Sequence, residues 1–193
     1  SAMMNTVRAT WSRRLENLAE SFSGFFPVSF LLFFGLFFGG EHVFPWLHHD
    51  LHGKEVWLNL PFLFSRDAAG LLILYGLGFA YLYYTLWFKL DKGEKETESR
   101  LKAGLFSMWQ RGRADADRYA HRRYVFGVLY LLAFAVVLSL IGYDLVMAAE
   151  PHWYSTLFGA YAFIKAIYVG FGALIILAAA LHLSRRVAFS LDA

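Results

Sequence analysis

Four long apolar runs, at about residues 23–47, 68–88, 124–147 and 157–182, constrain this chain more than any other feature. Each is roughly 20 residues or more, which at about 1.5 Å rise per residue gives about 30 Å, the thickness of a hydrocarbon core. Lipid offers no hydrogen bonds to a backbone, so a segment that crosses it must satisfy its own, and a helix does so within itself. Apolar residues make up 58% of only 193 residues, more than one soluble core of this size can hide. The sequence therefore predicts an all-α protein, an integral membrane four-helix bundle. Pro27 near the start of the first run and Gly35, Gly39 and Gly40 further along mark that helix as the one most prone to bend.

Charge sets the orientation. Of the 18 Lys and Arg, 15 fall before the first run, between the second and third, or after the fourth. Only Lys54 and Arg66 fall in the other connections, and Lys165 lies within a run. The positive-inside rule then places both termini in the cytoplasm, together with the loop 89–123 and the tail 185–193. Residues 1–22 read as a cytoplasmic amphipathic segment, with Ser1-Ala2-Met3 resembling a cloning remnant. Within the loop, Leu101, Leu105, Phe106, Met108 and Trp109 gather among basic residues, a pattern that fits either an amphipathic helix on anionic lipid or a solvated linker. The connection between the third and fourth runs is very short, which requires a tight antiparallel hairpin at the outer face.

Composition removes several chemistries. Cysteine is absent, so disulfides, thiolate metal sites and iron–sulfur clusters have no ligands here. A haem held between helices needs facing histidines buried in the spans, and His42, His121 and His182 fall at run ends or in the basic loop. The basic excess is accounted for by topology, so nucleic acid is not an expected partner. No cofactor is expected to be bound by this chain alone. On the outer side Glu41, His42, His48, His49, Asp50 and His52, with Glu150 and His152 from the other connection, gather imidazoles and carboxylates. His48, His49 and His52 are the candidate metal ligands among them, and imidazoles at an interface also serve as surface groups or in proton exchange with bulk water.

Ionisable groups inside a bilayer are costly, so each one in a run is a candidate for function. Lys165, about ten residues into the fourth run, is expected to face the bundle interior. Asp144, in the last turns of the third, is its expected partner across the hairpin. Such a pair would suit a polar pocket for a proton-carrying ligand such as a quinone, a step in a proton path, or a buried ion pair that fixes register.

Two stretches carry a family resemblance. Lys54 with Trp57-Leu58-Asn59-Leu60-Pro61-Phe62 and Arg66, and the hairpin Asp144 to Gly159 containing Glu150-Pro151-His152-Trp153 and Ser155-Thr156, resemble motifs of the ActF-type (NrfD/PsrC-like) integral membrane subunits of alternative complex III, a bacterial quinol:electron-acceptor oxidoreductase. Leu145 stands where the family motif has Trp, and Ala148-Ala149 where it has Ser-Leu. The resemblance covers the first of that family's two four-helix bundles, so the chain reads as a half-length relative or a fragment. It implies a multi-pass subunit of the bacterial inner membrane that has quinone or quinol as a candidate ligand and takes part in proton transfer. Other membrane and redox subunits would be its partners, a second copy a candidate one, and the lipid bilayer its solvent. Asp144, Glu150, His152, Ser155 and Arg66 are the positions the resemblance nominates; Lys165 belongs to no motif. The same hairpin has a structural reading, in which Pro151 stops one helix, Trp153 anchors the interface and Ser155 or Thr156 caps the next. The expected function is a non-catalytic subunit of a respiratory quinol/quinone oxidoreductase; the alternative is an assembly module that binds lipid and partner helices, with a small proton or ion conductor as a third class.

Overall fold

The structure is a computed structural model that describes residues 2–6, 13–48, 53, 55–91, 116–150 and 153–184. Among the described residues all regular structure is helical. Four helices are long and apolar enough to cross a membrane: Leu18–Phe38, Leu60–Trp87, Asp117–Ala149 and Phe158–Leu183. Short helices α1 (Ala2–Thr6) and α2 (Arg13–Ser21) come first, and a 3-10 turn, Phe22–Phe25, leads into α3 (Phe26–Phe38) with Pro27 in its opening turn. Next come α4 (Gly40–Val43) and the long α5 (Leu60–Asp91). Last are α6 (Ala116–Ile141), extended by a π-helical turn, Gly142–Val146, and a 3-10 turn, Met147–Ala149, and α7 (Phe158–Leu183). The stretch 101–111, read from the sequence as either an amphipathic helix or a solvated linker, and the tail 185–193 lie outside the described residues.

Two span boundaries differ from the hydropathy reading, each for a local reason. The first span does not run to residue 47. It stops at Phe38, where Gly39 leaves helical geometry (φ −93°, ψ 4°), and the chain turns into α4 and a 3-10 turn, Pro45–His48. Phe44 and Trp46, only 0% and 2% exposed, roof the core here instead of crossing lipid. The second span begins at Leu60 and not near residue 68. Asn59 opens it: its carbonyl accepts the Leu63 N–H at 2.8 Å and its Oδ1 accepts the Phe62 N–H at 3.5 Å. Pro61 sits in the first turn, where a missing N–H costs no intrahelical bond. Arg66 and Asp67 consequently lie on the helix and not in the loop before it.

The most extensive contacts are between α5 and α6, and between α6 and α7, while α3 rests on α5. Apolar burial alone does not hold helices together in lipid; close fit and polar ties do. On the α3 side, Phe26 stacks on Tyr75 at 4.6 Å between centroids, and the Ser29 and Tyr75 hydroxyls share a hydrogen bond of 2.7 Å. The core of Phe33, Phe44, Trp46, Leu58, Leu63, Phe64, Val137 and Ala148 lies toward the end that carries the α6–α7 hairpin, here called the hairpin end.

That hairpin is as tight as its short connection demands. A Cβ on Gly142 would meet the Ala162 Cβ at 2.7 Å, and one on Gly159 would meet the Tyr143 ring at 2.7 Å. The Ser139 hydroxyl donates to the Gly159 carbonyl at 3.0 Å, and the Tyr143 hydroxyl donates to the Thr156 carbonyl at 2.8 Å. Leu157, with no side-chain cap bond, is the residue at the α7 N-terminus. Ser155 and Thr156 therefore do not cap α7 through their side chains; their carbonyls accept from Phe158 N–H and Tyr143.

Candidate functional site at the hairpin end

Asp144 sits in the π-helical turn that ends α6, fully buried. A π turn carries one more residue per turn than an α-helix and turns the side chains beyond it. Gly142 and Tyr143 keep their contacts to α7, while Asp144 is aimed at α5. There Arg66 donates to Asp144 Oδ2 from Nε at 2.9 Å and again from Nη2. Trp57, from the connection before α5, donates its indole N–H to Asp144 Oδ1 at 3.2 Å. The Arg66 guanidinium is stacked under the Trp57 ring at 3.8 Å and lies 4.9 Å from the Phe62 ring. Three donors and an aromatic lid thus compensate the desolvation of this ion pair.

The next residue along α5 is Asp67, 1% exposed, and neither of its carboxyl oxygens meets a donor. Its charged neighbours are Asp144 and Arg66. Nη1 of Arg66 is likewise buried without an acceptor. With both carboxyls ionised the cluster holds two negative charges against one positive at a site where both carboxylates are desolvated, and one added proton makes it neutral. A buried polar group left unbonded is rare and calls for an explanation. The chemistry such a cluster can do is to take up and release a proton between two carboxyl groups, with the guanidinium as the fixed counter-charge.

Of the residues singled out from the sequence, the structure brings together Arg66 and Asp144. Lys165 does not pair with Asp144 and does not face the interior. It is exposed, with its ammonium 5.6 Å from the Tyr161 ring centroid. The α7 residues turned toward α6 and the groove, Gly159, Ala166 and Leu174 among them, follow the 3.6-residue period, and Lys165 falls on the opposite face. Glu150 is exposed in the bend after α6, where its carbonyl accepts the Trp153 N–H at 3.0 Å. Ser155 is half-buried in the same connection. His48 ends a 3-10 turn, and His49, His52 and His152 lie outside the described residues. Among the described residues no group of three or more His, Asp or Glu side chains is placed to hold a metal.

Asp67 escaped the sequence reading, and Trp57 entered it within the Lys54–Arg66 stretch with no role of its own. With α5 started near residue 68, Asp67 counted as a loop residue; the pattern Asn59-Leu60-Pro61, a helix opening, was the signal that would have placed it in the span. Trp57 gives no such signal, since an aromatic before a membrane helix reads as an interface anchor.

A second feature is a groove of about 330 Å³ between α1, α2, α6 and α7. Ala19, Phe22, Tyr130, Phe134, Gly170 and Leu174 line it, so its wall is apolar apart from the Tyr130 hydroxyl. Tyr130 is 14 residues from Asp144 along the same helix, about 20 Å by helical rise, so groove and carboxyl cluster are separate. Within the α6–α7 hairpin the two helices approach closely at Gly142 and Gly159. No protein-family model, curated protein or solved structure matches the chain.

Proposed function

We propose that this chain is a membrane subunit of a respiratory quinol/quinone oxidoreductase assembly in a bacterial inner membrane, and that its part is to bind and pass on a proton at Asp67, Asp144 and Arg66. Redox centres belong to partner subunits in this reading. The observation that carries it is Asp67, a carboxyl group 1% exposed, without a donor, beside a second carboxylate that already occupies the guanidinium. A structural ion pair needs one carboxylate; the second provides a place for a proton. The bias of 15 of 18 basic residues to one side supports an outer-face position for the hairpin end. The resemblance of the Lys54–Arg66 and Asp144–Gly159 stretches to ActF-type subunits agrees, since Arg66 and Asp144 are the motif positions that meet. Proton handling is better supported than binding of a quinone head group, because the groove offers one hydroxyl and no charged group.

The test is infrared difference spectroscopy on the purified chain between acid and alkaline buffer, with and without a quinol analogue. A protonated-carboxyl band that exchanges with deuterium, disappears in Asp67→Asn and shifts on adding the analogue supports the proposal. A band indifferent to the analogue keeps the proton site but removes the quinol assignment. No exchanging band at any pH reduces the cluster to a packing device and favours the assembly-module reading.

A further inference from the structure

The face of α7 turned away from α6 carries a regular seam. Tyr161, Lys165, Tyr168, Gly172, Ile175 and Ala179 are spaced alternately four and three residues apart, the heptad spacing of helices that pack with a left-handed crossing. Five of the six are exposed, Tyr168 to 81%, and Gly172 is half-buried. Among the described residues a Cβ on Gly172 would meet nothing within 4 Å, so no contact with them requires glycine there. Exposed Tyr and Ile suit lipid by themselves. A lysine and a glycine on the same seam do not: one is a cation inside an apolar span, the other gives up side-chain contact and helix propensity.

We infer that this seam docks a transmembrane helix of another protein, one that carries an Asp or Glu at the depth of Lys165. Lys165 is the eighth residue of α7, about 10 Å from its start, and no carboxylate among the described residues pairs with it. A carboxylate on the facing helix satisfies the ammonium, and Gly172, two turns further, lets the backbones approach. A second copy of this chain is a poor fit. Its Asp67 and Asp144 are buried, Glu55 and Glu150 lie in the connections at the hairpin end and not at the depth of Lys165, and Glu20 and Asp117 stand at the opposite end of their spans. The competing fate of Lys165 is to extend along the helix to a lipid phosphate, as long basic side chains do near helix ends.

Energy transfer in phosphatidylcholine vesicles separates these fates. The chain has no cysteine, so Ser184→Cys, at the exposed end of α7, takes a single donor dye. The acceptor sits on a synthetic Leu/Ala transmembrane helix with one Glu at the depth of Lys165, or with Leu in its place. The Glu helix is expected to associate about tenfold more tightly than the Leu helix, a difference of about 1.4 kcal/mol. That advantage should vanish in Lys165→Met, and Gly172→Ile, with the lysine retained, should weaken binding of the Glu helix several-fold. Equal association of the two helices, or an advantage that survives Lys165→Met, overturns the inference and leaves Lys165 to lipid. Transfer between copies of the chain itself that persists in Lys165→Met also overturns it, assigning the seam to a second copy.

Discussion

Replacing Arg66 with Met takes the cation from two carboxyl groups that are 1% and 0% exposed. Breaking a buried pair from one side costs about 3–5 kcal/mol, because the group left behind stays desolvated. Asp144→Asn takes away the other half of the same pair, but what remains is different. The Arg66 side chain is 15% exposed, Asp67 stays beside it, and the one amide oxygen at position 144 can still accept from Arg66, while the bond from Trp57, made to the other carboxylate oxygen, is lost. The expected cost is that of lost and weakened hydrogen bonds, about 1–2 kcal/mol. The two substitutions should therefore differ by about 2 kcal/mol, roughly thirtyfold in the unfolding equilibrium constant. The double variant should cost well under the sum, because the carboxylate stranded by the first change is neutralised by the second. Reversible unfolding of the four proteins in mixed detergent micelles, followed by tryptophan fluorescence and helical circular dichroism, measures the cycle. The reasoning is refuted if Asp144→Asn costs as much as Arg66→Met, or if the two effects add.

Other expectations follow from the contacts around the pair. Gly142→Ala should cost about 1–3 kcal/mol, since the new methyl meets the Ala162 Cβ at 2.7 Å, and Ala162→Gly should restore most of it in the same unfolding assay. Trp57→Phe keeps a ring over Arg66 but removes the indole donor to Asp144, so a loss of about 1 kcal/mol is expected. A loss several times larger would mean that the stacking geometry itself had collapsed. Tyr143→Phe removes the bond to the Thr156 carbonyl and should raise amide hydrogen exchange in the 153–158 connection while leaving the α3–α5 contacts protected.

The parts of the fold that rest on hydropathy were legible because lipid imposes one length and one backbone solution on every span. The hairpin was legible for a related reason, since a connection that short leaves two helices no other arrangement. Boundaries were harder. Phe44 and Trp46 are as apolar as any span residue, yet they sit after Gly39 and roof the core, and only the two adjacent glycines hinted at the break. At the site, Arg66 and Asp144 were both singled out, but their pairing was hidden by the late start assigned to α5. Asp144 was expected to meet Lys165 because the hairpin joins their helices. The π turn, which no residue pattern announced, points Asp144 at α5 instead. The inward-facing Lys165 was expected on the premise that all four spans enclose a common interior. In the structure α7 has α6 as its main neighbour, which leaves most of its circumference facing outward.

The π turn at Gly142–Val146 has a meaning beyond placing one carboxylate. Each residue of an α-helix advances the side-chain direction by about 100°, so a single residue gained or lost in that turn would swing Asp144 off Arg66 while leaving the rest of α6 in register with its neighbours. Polar chemistry here hangs on one insertion, separable from the packing that builds the membrane scaffold. A lineage carrying this helix could acquire or discard the buried pair in a single step, with the scaffold inherited intact.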